Sequence, residues 1–375
     1  MNTMNSTVLP RAVPELLPVP AEAHPVVCSI AGVGTAVPES SYSQQEVLDL
    51  YQVTDPRIRS VFLNSAIDRR HLTLAAPGPD GRPADESQGA LLRKQARQGV
   101  VLGAAALDAC LADSGHTYAD IGYLCCVTST GMLTPGLTAL LITELGLSTE
   151  VSRLDVVGMG CNAGLNALNA VTGWSLAHPG RLAVMLCVEV CSAAYVFDGS
   201  MRTSVVNGLF GDGAAGVTLV SMPAATAAPG PRVLRFASHI IADSLGAMRY
   251  DWDEQSGKYS FFLDRDVPYV VGAAAADVIG RLLRGTGLRR SDIAHWLIHS
   301  GGRKVIDSVR VNLGLTRHDV RHTTAVLREY GNVSSGSFLF SLQRLKREGV
   351  ARPGEYGLLM TMGPGSTIET ALIRF

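Results

Sequence analysis

Charge is scarce in this sequence. Only 17% of its 375 residues are Asp, Glu, Lys or Arg, and the formal net charge is −1. A nucleic-acid partner would require a basic face, so that class is excluded. Any anionic ligand must instead be held by a few local cations and backbone amides. Zinc-type CxxC pairs are also missing. The seven cysteines are Cys28, Cys110, Cys125, Cys126, Cys161, Cys187 and Cys191. Their odd number, and their place in apolar runs such as LCCVTST and LCVEVCSA, argue against a disulfide framework. Reduced, buried thiols in a cytoplasmic protein are expected. No uninterrupted apolar run is long enough to span a membrane. The opening stretch VLPRAVPELLPVPAEAHP lacks a basic start followed by an apolar run, so it does not read as a secretory signal.

What is present is apolar and periodic. Hydrophobic residues make up 47% of the chain, which predicts a large buried core and buried surface in a subunit interface. Strand-like and helix-like segments alternate. VVCSIAGVGTAV (26–37) reads as a strand, and ALLRKQARQGVVLGAAALDACLADSG as a long helix closed by Gly115. YLCCVTSTG (123–131) and LAVMLCVEV (182–190) read as buried strands. LTALLITELGL and CNAGLNALNAVTGWSLAH (161–178) read as helices. The pattern is α/β with covered sheets.

The chain divides into a disordered tail over 1–25, a first half over 26–221, a Pro/Ala/Gly-rich linker over 222–232 and a second half over 233–375. Element order repeats across the linker. VLRFASHIIADS resembles the opening strand, and AHWLIHSGG matches YLCCVTSTG. GNVSSGSFLFSLQRL matches the helix after Cys161, and YGLLMTMGPG matches LAVMLCVEV. Thr128 and Cys161 are 33 residues apart, and so are His299 and Asn332. Two duplicated halves facing each other would bring Cys161, His299 and Asn332 to one central site.

Each of these three types suits nucleophilic acyl chemistry. Cys161, in VVGMGCNAG, follows Gly158 and Gly160 and begins a helix, where amide N–H groups and the positive dipole end favour a thiolate and can bind an oxyanion. A small buried side chain is the competing reading. His299 ends an apolar strand before Gly301 and Gly302, at the place where α/β sites form. As an imidazolium it would stabilise a thiolate and donate to a thioester oxygen; a hydrogen-bonded structural histidine fits the same residues. Asn332, in EYGNVSSGSF, could orient a carbonyl with its amide or simply cap a helix.

VVGMGCNAG, HWLIHSGGRKVID, YGNVSSGSFLF, GPGSTIET (363–370), LFGDGAA (209–215) and IDRRHL (67–72) together resemble the type III polyketide synthases of the chalcone synthase superfamily. The resemblance runs from about residue 27 to the end. It implies a thiolase-like αβαβα layered fold from two duplicated halves, assembled as a homodimer. It makes Cys161 the carrier of starter and growing chain as a thioester. His299 and Asn332 would bind the malonyl thioester carbonyl and the enolate left by loss of CO2. Decarboxylation drives the Claisen condensation, so no metal and no cofactor beyond malonyl-CoA is implied. Phe210 and Phe261 match the aromatic gatekeepers between a CoA tunnel and a cavity. Cys191, Ala194 and Ser334 match cavity-shaping positions. Gly301 and Gly302 would lie near the pantetheine arm. Arg57 stands at one tunnel position that is basic in the family, with Arg59 beside another and Asn64 where a lysine is usual.

Further runs, including GVGTAVPESSYSQ, SVFLNSAIDRRHLTL, CCVTSTGMLTPGL and MRYDWDEQSGKYSFFLD, resemble a bacterial branch of the family from glycopeptide-antibiotic pathways. That implies malonyl-CoA as starter and extender, with four units condensed to a tetraketide that cyclises to an aromatic CoA ester. Enoyl-CoA-hydratase-like proteins would assist the last steps. The alternatives are a family member making another resorcinol or a pyrone, and a ketoacyl-ACP synthase III-like enzyme. A thiolase, a hydroxymethylglutaryl-CoA synthase, a papain-like protease or an inactive scaffold subunit fits less of the pattern.

Overall fold

The computed structural model describes residues 25–226 and 229–375. The expected tail therefore falls outside the described residues up to position 24. The first half opens with β1 (Val26–Ala36) and a short β2 (Ser41–Ser43). α1 (Gln44–Leu50) follows, its start fixed by a capping box between Ser43 and Glu46. α2 (Pro56–Leu63) is capped by the Asp55 carboxylate and begins on a proline. After β3 (Arg69–His71) comes the long α3 (Gln88–Ser114), ended as expected by Gly115 in the left-handed conformation, φ 71°. β4 (Ile121–Thr128), α4 (Leu137–Leu145), β5 (Ser152–Val157), α5 (Ala163–Ala177), β6 (Leu182–Glu189), α6 (Met201–Asn207) and β7 (Gly213–Pro223) complete this half.

The second half comprises β8 (Arg232–Ile240), the hairpin β9 (Met248–Asp253) and β10 (Lys258–Leu263), then α7 (Val267–Leu283) and β11 (Ile293–Ile298). It continues with α8 (Arg303–Leu313), α9 (Arg321–Tyr330), α10 (Ser337–Glu348), β12 (Tyr356–Gly363) and β13 (Thr367–Arg374). The connection between halves is shorter than the 222–232 expected from composition. Met222 and Pro223 still pair with Val27 and Val26, and Arg232 already pairs with Arg374. Apolar β7 therefore runs on until its partner strand ends.

Nine strands form one sheet in the order β11-β12-β13-β8-β1-β7-β6-β4-β5. The two halves are visible in it. In the first, β1 is antiparallel to β7, β7 antiparallel to β6, and β6 parallel to β4. In the second, β8 is antiparallel to β13, β13 antiparallel to β12, and β12 parallel to β11. The same pairing scheme repeats, so each half is one copy of a single unit. Within the sheet, among the described residues, the copies join through two strand pairs, Cys28 with Val233 and Ser29 with Arg232.

Strand alternation distributes the side chains into five layers. In β6, Ala183, Met185 and Cys187 face the central helices α5 and α10, while Val184, Leu186 and Val188 face α3 and α4. In β11, Leu297 faces the centre, and Trp296 and Ile298 face the outer layer of α7 and α8. α5 and α10 are covered on both sides, which is why SFLFSL carries apolar residues all round: Phe338, Leu339, Phe340 and Leu342 are all buried. This is the αβαβα arrangement that the resemblance implies. Among the described residues no helix is long and apolar enough to cross a membrane.

Candidate active site

Cys161 lies in the short turn Gly160–Asn162 that feeds α5. Two left-handed glycines aim it, Gly158 at φ 86° and Gly160 at φ 72°. Gly160 has a second reason to lack a side chain, because a Cβ there would lie 2.3 Å from Pro364 Cδ. The turn after β12 therefore presses directly on the Cys161 turn. The other half supplies the opposing groups. His299 follows the last residue of β11, and its backbone N–H donates to Met360 of β12 at 2.8 Å. Asn332 precedes α10 and is clamped by its own backbone, which donates to Leu209 O at 2.9 Å and accepts from Gly211 N at 3.1 Å.

Side-chain contacts tie these residues together. Ser334 Oγ donates to Cys161 Sγ at 3.3 Å, and Ser334 N donates to Asn332 Oδ1 at 2.9 Å. The second bond fixes the Asn332 amide with its oxygen inward, leaving its NH₂ as the group free to donate. Ser334 itself sits at φ 42°, a strained position that costs about 1–2 kcal/mol for a residue with a Cβ. Behind it, Ser129 Oγ lies 2.7 Å from Ser334 Oγ. The Glu189 carboxylate, fully buried at the end of β6, accepts from Ser129 N and Oγ and from Ser335 N and Oγ. Burial raises the Glu189 pKa against these four bonds.

Burial also governs the pair expected to react. It pushes the Cys161 thiol up to about 12, with the Ser334 bond opposing, and the His299 imidazole down to about 3. Desolvation thus opposes the imidazolium beside a thiolate that the sequence reading expects.

Two cavities meet at Cys161. The outer one, about 470 Å³, is lined by Cys161, Phe210, Phe261, His299, Gly301, Gly302 and Asn332, and opens past Arg265, Arg303 and Lys304. The inner one, about 30 Å³, is lined by Cys161, Cys191, Ala194, Phe210, Phe261 and Ser334, together with Ser129 and Tyr250. Phe210 and Phe261 belong to both and meet edge to face at 5.8 Å. Phe210 is held in place by the fully buried Arg70, whose guanidinium donates to Phe210 O and Asn207 O, both at 2.6 Å. That is the structural use of the IDRRHL stretch.

Ten of the eleven residues singled out from the sequence therefore line one of the two cavities. Arg57 does not. Its side chain is 81% exposed and is drawn back to Asp55 at 3.1 Å, because the carboxylate that caps α2 also captures the guanidinium. From the α2 side, Ser60, Val61, Asn64 and Ser65 reach the passage. Sequence reading missed Arg265, Arg303 and Lys304, which look like ordinary surface cations, and Ser129 and Ser335, which look like ordinary turn serines. Glu189 carried a usable signal: it is a carboxylate ending an otherwise apolar strand. Among the described residues no group of three or more His, Cys, Asp or Glu side chains could hold a metal ion.

Comparison with known proteins places this geometry. Residues 50–284 match the family described as FAE1/type III polyketide synthase-like protein, and residues 237–375 match the C-terminal domain of chalcone and stilbene synthases. The chain is a type III polyketide synthase. It is 66% identical over 349 residues to the 3,5-dihydroxyphenylacetyl-CoA synthase of Amycolatopsis balhimycina, covering 93% of each chain. It is 65% identical to the synthase of that name from Streptomyces toyocaensis, covering 92% of this chain and 90% of the other. Among solved structures, the type III polyketide synthase resembles 1,3,6,8-tetrahydroxynaphthalene synthase from Streptomyces coelicolor, with TM-score 0.82 and 28% identity, covering 92% of this chain and 99% of that one. It also resembles PKS-I of the brown alga Ectocarpus siliculosus, with TM-score 0.87 and 26% identity over 94% and 99% of the two chains. These likenesses bear out the expected family and layered fold.

Proposed function

We propose that this synthase condenses four malonyl units from malonyl-CoA, as starter and extenders, and that the tetraketide closes to 3,5-dihydroxyphenylacetyl-CoA. The observation that carries the reading is the 66% identity, along nearly the whole chain, to a synthase of that name. Cys161 attacks the starter thioester; its sulfur takes the acyl group, and its proton leaves on the CoA sulfur. An extender then loses its carboxylate as CO2. The electron pair moves into the thioester carbonyl, where the imidazole N–H of His299 and the Asn332 amide hold the enolate oxygen. The carbanion attacks the acyl-Cys161 carbonyl and the cysteine sulfur leaves, ready for the next transfer. Loss of CO2 drives each carbon–carbon bond, so the reaction calls for no cofactor besides the CoA thioester.

Phe210 and Phe261 act as the gate between passage and chamber. Cys191, Ala194 and Ser334 shape the chamber, and Gly301 and Gly302 give the pantetheine arm room. Arg265, Arg303 and Lys304 take the phosphate-binding role that sequence reading had given to Arg57. The synthase works as a cytoplasmic homodimer. The free outer edge of β5, last in the sheet order, offers a strand for pairing with a second copy. Enoyl-CoA-hydratase-like proteins assist the final steps.

Mass spectrometry of the product from malonyl-CoA alone tests the reading. The aromatic CoA ester of an eight-carbon acid is expected; a pyrone, or no carbon–carbon bond formation, would overturn it.

A further inference from the structure

Eight of the 32 Lys and Arg residues line one open groove of about 1360 Å³, with two acidic side chains, Asp307 and Glu348, among them. The net charge of −1 hides this concentration. The groove runs across α8 and α9 and is bounded by the start of α7 and the end of α10. Half of its cations are accounted for within the protein. Arg310 pairs with Asp307, Arg321 with Glu348, and Arg328 and Arg344 with Glu329. The other four, Arg303, Lys304, Arg317 and Arg347, are exposed and, among the described residues, have no carboxylate partner.

For two of these, helix stability works against the placement. Arg303 and Lys304 are the first residues of α8, at the positive end of its dipole, where a cation is unfavourable. Unpaired like charge on one face also opposes folding. A ligand that brings negative charge offsets both effects. Free CoA leaves the arrangement half explained. Arg303 and Lys304 line both the groove and the passage that ends at Cys161, whereas Arg317 and Arg347 line the groove alone. Positive charge therefore continues from the mouth out over the surface. Tyr269 and Val311, each 66% exposed, line the same groove. A concave surface that combines unpaired cations with exposed apolar side chains suits an acidic amphipathic helix. A flat membrane surface would not enter it.

We propose that this groove docks an acidic carrier protein whose phosphopantetheine arm enters the adjoining passage and delivers a malonyl thioester to Cys161, as a second donor beside malonyl-CoA. The inference rests on the passage and nucleophile proposed above and adds a protein that they can receive. Contiguity of groove and passage selects this partner among acidic proteins, because a carrier presents an acidic helix and a thioester-bearing arm side by side. Its carboxylates meet Arg317 and Arg347, and the phosphate of the arm meets Arg303 and Lys304 at the mouth. Loading balances as it does from CoA. The bond between carbonyl carbon and arm sulfur breaks as the bond to the Cys161 sulfur forms, and the arm leaves as a thiol with the proton that Cys161 gives up.

The test compares two donors on the whole enzyme, malonyl-CoA and a malonyl-loaded acidic acyl carrier protein, each followed by CO2 release and product mass. The carrier is expected to support condensation, with kcat/KM falling steeply as ionic strength rises. Arg317→Glu combined with Arg347→Glu is expected to lower kcat/KM for the carrier about tenfold or more, chiefly through KM, and to leave malonyl-CoA within about twofold. Both side chains are exposed, so the circular dichroism of the parent should be retained. An inert carrier beside active malonyl-CoA overturns the docking proposal and leaves the condensing function standing. So does an equal loss with both donors, which would trace to the passage or the fold. Inertness of the unaltered enzyme with both donors removes the condensing function itself. A short DNA duplex that competes as well as the carrier would make the groove an unselective anion surface and overturn the pairing. If the double variant fails to fold, the carrier's activity with the unaltered enzyme still decides.

Discussion

Cys161 and His299 pull the pH dependence of stability in opposite directions. Burial pushes the folded His299 imidazole down to about 3, against the ordinary 6.5 of the unfolded chain. As pH falls below about 6.5 the unfolded chain takes a proton that the folded one refuses, so stability drains away between there and about 3. Cys161 behaves in the opposite sense. Its folded value of about 12 lies above the ordinary 9.0, so stability is complete below 9 and is lost as pH rises beyond it. Urea midpoints should therefore be flat from pH 7 to 8 and decline on both sides. The decline between pH 6.5 and 4 should be shallower in His299→Asn, and an unchanged acid slope would show that the ring is not desolvated. Cys161→Ala should abolish product and retain the circular dichroism of the parent; turnover at the parent rate would move the nucleophile elsewhere. Asn332→Ala should cost about a hundredfold or more in decarboxylation, the scale of a lost oxyanion donor. The three candidate residues were legible in the sequence because each sits at an unusual junction of strand, glycine and helix. The burial that opposes their charged forms was not, because it depends on neighbours far along the chain that exclude water.

At the scale of elements, β12's closing turn fits closely against the turn before α5. Gly363 has no room for a Cβ either, which would lie 3.0 Å from Cys161 N and 2.4 Å from Asn162 Oδ1. Gly160→Ala combines a left-handed backbone with a collision at Pro364, so soluble protein with little condensing activity is expected, measured as CO2 release. Parent-level release would mean that the turn can shift freely. α10 carries a different load. Phe338 is fully buried between the sheets, and Phe338→Ala should destabilise by about 3–5 kcal/mol in urea titration. The main strands and helices were readable because alternation and capping are local signals. Where β7 ends was not, because the partner strand β1, far away in sequence, decides how long pairing continues. Arg57 misled for a similar reason: its position on α2 was right, but Asp55 competes for its charge.

The whole molecule presents its cations at the passage mouth from the second half, on α8 and beside α7, and not from α2. Arg303→Ala combined with Lys304→Ala should raise KM for malonyl-CoA about tenfold. It should leave a malonyl thioester of pantetheine, which lacks the nucleotide phosphates, within about twofold. Equal effects on both substrates would assign the pair a purely structural part. The repeat was visible in the sequence as equal spacing and element order, because duplication preserves both. The direction from which a ligand enters was not, since it arises only when the copies are set face to face. Pro364, packed on Gly160, shows how far those copies have since specialised. The final bend of the second has become a keystone under the first, so each holds a fragment of one reaction centre that neither could rebuild alone. A lineage built this way has given up the freedom to shed or swap a repeat; every later change to the closing bend is also a change to the sulfur across from it.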